Sequence, residues 1–422
     1  MITALVISLI VLFVLGVPVA VALGLSTSLA LLIEGGTPLV VLAQRAFVSL
    51  DSFPLLAIPL FILAGVIMEF GGISQRLINF ANALTGHFSG GLAMVTVITT
   101  MFFAAISGSS IAATAALGSI LIPAMVERGY HRDFAGSVQS VSGTLGIIIP
   151  PSIPLILYGT AADASIGDLF IGGVLPGVLV GAGLIITVII ISKKRGYNRE
   201  AKTSTGELGK AFVQTIPALI MPFIILGGIY SGIFTATEAA GVAVAYAFII
   251  STVFYRSIYF GNIGKILNQA ISTTSTIMFI IAVAGLFSWV LTIENIPQQV
   301  AGFFTSISDN PSVFLLSVVV LLLIVGMFME TNASIIILAP ILAPVALELG
   351  IDPIHFGMVM IVTLAVGMVT PPLGLNLFVA GRIANLRLDE LAKGMIPFYV
   401  AVLLTLLIII FVPQVSTGLL SL

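Results

Sequence analysis

Long apolar runs, interrupted at a few places by small polar clusters, dominate the chain. Segments 1–33, 52–68, 88–126, 134–162, 169–192, 211–237, 266–293, 353–381 and 394–422 contain no Asp, Glu, Lys or Arg. A helix needs roughly 20 apolar residues to cross the hydrocarbon core, so most of these runs predict membrane spans. The strands of a membrane barrel would be about 10 residues long with alternating polarity, a pattern these runs lack. Only helices satisfy their own backbone hydrogen bonds in lipid, so the predicted fold is an all-α polytopic membrane protein.

Composition points the same way. The chain is 59% hydrophobic and 8% charged, whereas soluble domains are about 45–50% apolar and about 25% charged. The net charge of −2 offers no basic surface for nucleic acid. There is no cysteine, which excludes disulfides and thiolate chemistry. The start, Met1-Ile2-Thr3-Ala4, has no positive n-region and reads as the first membrane helix. His87, His131 and His355 are far apart, and no GxSxG, GxxxxGK[ST] or HExxH is present. No enzyme motif therefore emerges, and without a P-loop any transport is not driven by the chain's own ATP hydrolysis. An intramembrane protease built on Ser109 or Ser110 would lack an adjacent base.

The most basic stretch holds Lys193, Lys194, Arg195, Arg199, Lys202 and Lys210, and the positive-inside rule makes it a cytoplasmic loop. Arg382, Arg387 and Lys393, interleaved with Asp389 and Glu390, form a weaker group of the same kind. The loop, taken as 193–212, separates a first half (1–192) from a second (213–422), and the halves share landmarks. Ser107-Gly108-Ser109-Ser110 is followed by Gly146 and Pro150-Pro151; Glu330-Thr331-Asn332-Ala333 is followed by Gly367 and Pro371-Pro372. The proline pairs lie 221 residues apart, and Gly65 matches Gly285 at an offset of 220. Duplication explains three landmarks in register, and an odd number of spans per copy would make the copies inverted. Helix breakers at matching positions of two repeats are the best sequence pointer to a transport site.

Within 88–126, the polar break at residues 107–110 leaves two pieces too short to span independently. Two short helices meeting at a polar tip describe a re-entrant hairpin, tolerable only where protein or a water-filled cavity covers the tip. The free N–H groups opening the second short helix suit a carboxylate. A second tip falls around 330–334, between the apolar runs 310–329 and 331–347. An ionised Glu330 there is costly unless paired, hydrated or bound to an ion. Broken helices follow both tips, around 142–152 and 363–374. Adjacent prolines free several carbonyls, which together with Ser and Thr hydroxyls are hard oxygen ligands fitted to Na⁺.

Ile106 through Ser110, Gly129-Tyr130, Gly146 through Ser152, Gly350 through Gly357 and Thr370-Pro371-Pro372-Leu373-Gly374 resemble the large membrane subunit of tripartite ATP-independent periplasmic (TRAP) transporters, essentially end to end. More broadly the chain resembles the elevator-type ion transporter superfamily, which includes sodium–dicarboxylate symporters. The resemblance implies two re-entrant hairpins in a mobile domain gripped by a scaffold. It also implies two partners, a small four-helix membrane subunit (here expected as a separate chain) and a periplasmic binding protein, in a bacterial inner membrane with its lipid. The family pattern has aspartate where this chain has Glu330. Carried onto this sequence, the first tip with Ser107, Ser142, Gly143, Thr144 and Gly146 would build one sodium site. The second tip with Thr363, Gly367 and Thr370 would build another. The substrate, an organic anion such as sialic acid or another carboxylate, would lie near Ser107, Ser109, Ser110, Glu330, Thr331, Asn332 and Asn376. Two or more Na⁺ would accompany it. The rival readings are a standalone sodium–dicarboxylate symporter of the same fold and, from another class, a non-transporting membrane scaffold.

Overall fold

The computed structural model describes every residue except Gly36, 198–203, 308–309 and Leu422. The described residues form helices and no strands. Nine of these helices are long and apolar enough to cross a membrane, or up to ten if the pair Arg132–Ile148 and Ile153–Ala161, bent by 43°, counts as one span. Large apolar side chains such as Val14, Phe223 and Phe260 stand exposed on the outer surface, at 82%, 75% and 93%. A surface of that kind is one that lipid covers.

The first half contains α1 (Ile2–Val14), α2 (Val19–Glu34), α3 (Leu39–Val48), α4 (Ala57–Phe70), α5 (Ile73–Thr85), α6 (Gly91–Ser107), α7 (Ser110–Glu127), α8 (Arg132–Gly143), α9 (Leu145–Ile148), α10 (Ile153–Ala161) and α11 (Ile166–Arg195). The second contains α12 (Thr205–Tyr230), α13 (Ala236–Ile249), α14 (Phe260–Ile293), α15 (Ile296–Ile307), α16 (Pro311–Phe328), α17 (Thr331–Glu348), α18 (Pro353–Gly367), α19 (Leu375–Ala384), α20 (Leu388–Phe411) and α21 (Gln414–Thr417). At the sequence offset of about 220 residues, α6 through α11 overlay α16 through α20, and the unbroken α14 corresponds to α3 plus α4. Packing follows the same symmetry, since α13 lies on α4 and α2 lies on α14.

The copies run in opposite directions. Glu69, near the end of α4, accepts a hydrogen bond at 3.3 Å from Gln269, near the start of α14. At the other end Thr237, at the start of α13, donates to the Phe53 carbonyl just before α4 at 3.2 Å. The repeats are therefore inverted.

The two ends of the bundle differ in charge. Every described Lys and Arg except Arg45 lies at the end that holds the α11–α12 connection. Arg195 there pairs with Asp133 at 3.0 Å, and Arg76 lies 3.7 Å over the Tyr255 ring. The opposite end carries Glu34, Asp51, Asp163, Asp168, Glu238, Glu294, Glu348 and Asp352, with Arg45 alone over Trp289 at 4.9 Å.

The stretch expected as a loop over 193–212 is mostly helical where it is described. α11 carries Lys193, Lys194 and Arg195 in its last turn, favoured by the helix dipole. α12 opens on a capping box between Ser204 and Glu207. Arg199 and Lys202 lie outside the described residues.

The positive-inside rule predicts that the basic end faces the cytoplasm. Because the chain has no cysteine, single cysteines report sidedness directly. In intact spheroplasts, Asp168→Cys should react with an impermeant maleimide and Lys194→Cys only after permeabilisation. The reverse labelling would invert the topology.

Candidate functional site

Tip 1 is made by sequence-local chemistry. α6 ends at Gly108, whose left-handed φ of 59° closes the helix. Ser109 is extended and its hydroxyl caps α7, accepting from Ala112 N at 3.3 Å. A Cβ on Gly108 would come within 3.2 Å of the Pro151 carbonyl, so the tip touches the first helix break. Gly146 closes the same contact from the other side, since a Cβ there would sit 2.6 Å from the Ser109 carbonyl.

Tip 2 is turned without glycine. Met329 and Glu330 are both extended, and the Glu330 carboxylate caps α17. It accepts from Asn332 N at 3.0 Å and Ala333 N at 3.4 Å, while its other oxygen accepts from the Asn332 side chain at 2.7 Å. The second break meets this hairpin through paired glycines, because a Cβ on Gly367 would come within 2.6 Å of Gly326 Cα. Gly374 N donates to the Met327 carbonyl at 3.3 Å across the same contact.

Among the described residues, the first break leaves side-chain oxygens without hydrogen-bond partners, and the second does not. Around tip 1, the Oγ atoms of Ser107, Ser140 and Ser142 are buried without a hydrogen-bond partner. Thr144 donates to the Val141 carbonyl at 2.7 Å, and its lone pairs remain free. Gly143 lies against Thr114 and Asn376. Around tip 2, Thr331 donates to Met368 Sδ at 3.1 Å. Thr363 and Thr370 donate to carbonyls of their own segment at 2.6 and 2.7 Å. The expected first group is thus drawn together around tip 1. Of the second, Gly367 meets hairpin 2 directly, whereas the hydroxyls of Thr363 and Thr370 bond within their own segment.

A cavity of about 790 Å³ lies between the tips, within the range of small-molecule sites. Ser109, Ser110, Glu330 and Asn332 line it, as expected. Ser107, Thr331 and Asn376 do not. Asn376 is fully buried and reaches from the second repeat into the first, donating to Ser110 Oγ at 2.7 Å and the Ser140 carbonyl at 3.1 Å. Its amide nitrogen thus ties α19 to tip 1, while its Oδ1 is buried with no hydrogen-bond partner.

The opposite wall was not singled out from sequence. It consists of Ser272, Thr273, Ser275 and Thr276 on α14, with Pro18 through Val21 at the start of α2. The available signal was the hydroxyl run Ser272-Thr273-Thr274-Ser275-Thr276 inside the charge-free stretch 266–293.

Paired inverted hairpins, each facing a broken helix around a cavity between their tips, define a secondary-transporter architecture. Residues 6–415 match the family described as the DctM component of tripartite ATP-independent periplasmic transporters, and the chain belongs to that family. It is 44% identical to the isethionate TRAP transporter permease DctMQ of Oleidesulfovibrio alaskensis, over 95% of this chain and 64% of that longer protein. It is also 44% identical to the C4-dicarboxylate TRAP transporter large permease DctM of Pseudomonas aeruginosa, over 94% of this chain and 93% of that one. Among solved structures it resembles the Alcanivorax borkumensis YdaH transporter, with TM-score 0.63 and 16% identity over 89% of this chain and 88% of that one. That likeness is one of fold.

The close glycine contacts carry a stability prediction. Gly146→Ala and Gly367→Ala each force a methyl into occupied space, at a cost of about 1–3 kcal/mol. Gly206→Ala on α12 has open space and should not destabilise. Thermal unfolding in detergent should therefore fall for the first two and hold or rise for the third.

Proposed function

We propose that this chain is the large permease of a sodium-coupled importer of an organic anion, supplied by a periplasmic binding protein and assembled with a small four-helix membrane subunit in the bacterial inner membrane. The observation that carries this reading is the unlike capping of the two tips. Tip 1 offers the N-terminus of α7 capped only by a neutral hydroxyl. Tip 2 places a carboxylate on the same cavity. An anion therefore has its place at Ser109 and Ser110, and a cation has reason to sit near Glu330.

Na⁺ suits the side-chain oxygens left unpartnered at the first break, and hydroxyl and carbonyl oxygens are also at hand at the second. The residues proposed to hold it are Ser107, Ser142, Gly143, Thr144 and Gly146 at tip 1, with Thr363, Gly367 and Thr370 at tip 2. Moving one charge across 100 mV involves about 2.3 kcal/mol. One Na⁺ cancels the charge of a monoanion entering an inside-negative cell, and two or more make entry electrically favourable. Movement of the hairpin unit past the scaffold, in the manner of an elevator, would carry the cargo across. Sialic acid, a C4-dicarboxylate or an isethionate-like sulfonate are candidate cargoes. The named activities of relatives are transport activities, and no enzymatic role is proposed.

The test is uptake into proteoliposomes holding the chain and its small partner, with the binding protein outside and sodium gradients imposed. Uptake should require sodium inward and the binding protein. Glu330→Gln should lower sodium-driven uptake by roughly tenfold to a hundredfold, the effect of losing a charged hydrogen-bonding group worth about 1.5–3 kcal/mol. Sodium-driven uptake without the binding protein would instead indicate a standalone symporter. Indifference to both sodium and membrane potential would sink the symport reading.

A further inference from the structure

The cavity between the tips carries information about its cargo that neither tip carries alone. Of the charged residue types and histidine, only one member lines it, Glu330. No Lys, Arg or His is among the lining residues. Of the helix N-termini at the two tips, the one at α17 is already capped by the Glu330 carboxylate, while the one at α7 is capped only by the Ser109 hydroxyl. One anionic group can therefore be seated at tip 1. A second carboxylate on the same molecule would meet Glu330 or the α14 wall with no opposing charge from the protein. Like charges in a low-dielectric cavity repel strongly, and an unpaired buried charge is costly.

The α14 wall is built for a different kind of group. Ser272, Thr273, Ser275 and Thr276 fall on one helical face by their spacing, and all four side chains are exposed to the cavity. Thr276 donates to the Ser272 carbonyl at 3.0 Å. Among the described residues, the hydroxyls of Ser272, Thr273 and Ser275 make no hydrogen bond to protein. A hydroxyl both donates and accepts, which matches another hydroxyl better than a bare carboxylate. Around this polar stripe the wall is apolar, with Val19, Val21, Ile277 and Ile280.

We propose that the cargo is a hydroxylated monoanion. Its single acid group lies at Ser109 and Ser110, and one or more of its hydroxyls bond to Ser272, Thr273 and Ser275 on α14. A dicarboxylate, whose second acid would have only the cation near Glu330 to offset it, should bind less well. This inference rests on the sodium-symport reading above. A site made to hydrogen-bond a substrate hydroxyl discriminates strongly against the analogue that lacks it, because its own polar groups are then left unpaired.

The test uses the purified permease with its small membrane subunit in detergent, with thermal unfolding measured in NaCl and in choline chloride. Ligands that bind the folded form raise the unfolding temperature by mass action. The probes are glycerate against propionate, gluconate against hexanoate, and succinate. At least one hydroxy acid should stabilise the protein in sodium, and its deshydroxy counterpart and succinate should need about tenfold higher concentration or more. The double variant Ser272→Ala/Ser275→Ala should bring the hydroxy acid down to the level of its counterpart. Thr274→Ala, off the cavity wall, should keep the discrimination. Succinate binding more tightly than both hydroxy acids would overturn the proposal, as would discrimination that survives the double variant. If hydroxy acids bind selectively but equally well without sodium, the cargo class stands and the sodium coupling fails. If no acid stabilises the protein in either salt, the cargo class is overturned, while sodium-driven uptake by the full assembly remains a separate readout for the proposed function.

Discussion

Backbone groups exposed at mid-depth in a membrane have no water to satisfy them, and the architecture of this protein follows from how it meets that constraint. Four chain breaks fall within the helical bundle, two hairpin tips and two interrupted helices. Each tip is set against the break of its own repeat, and glycine makes the approach close enough. Gly108 and Gly146 do this at tip 1, Gly326 and Gly367 at tip 2. A side chain at these positions would push backbone away from backbone and open the carbonyls to lipid. Close approach of small residues also marks where α4 meets the tip. A Cβ on Gly65 would lie 3.2 Å from the Ile106 carbonyl, so the long helix beside the hairpin presents almost no relief to it.

Symmetry in backbone does not extend to chemistry. Ser109 and Glu330 stand 221 residues apart and both cap the second arm of their hairpin. One is neutral and the other is an acid. Duplication thus gives two equivalent helix ends, and a single difference in capping residue gives them opposite electrostatic character. The neutral cap leaves the helix end attractive to an anion, while the acidic cap cancels it.

Much of this was legible in the sequence because helix breakers are conspicuous in apolar surroundings. Polar tips, proline pairs and matching glycines stand out when charge is absent for dozens of residues, so the spans, hairpins, breaks and repeat could be read directly. Side-chain direction could not. Asn376 was expected near the substrate from the family likeness alone, and its amide crosses into the first repeat. The corresponding position in that repeat is Leu155, so no symmetry argument pointed there. The hydroxyl run on α14 reads the same whether it faces lipid, a neighbouring helix or a cavity, and only packing decides. The connection at 193–212 looked like a loop because it is polar, but its capping box and basic last turn extend helices into it from both sides.

Interleaving of the repeats has a mechanical consequence. α7 of hairpin 1 packs against α19, which follows the break of the second repeat, and α17 of hairpin 2 packs against α10, which follows the break of the first. Asn376 on α19 is hydrogen-bonded to Ser110 at tip 1. Neither tip can shift without carrying the other repeat's half-helix, and through it the other break. Tightly packed elements move as units and do not deform continuously. Under the proposed transport reading, groups bound at the two tips would then travel together. An anion seated at one tip and cations seated at the breaks would be coupled by the packing itself, with no need for a signal to pass between separate sites.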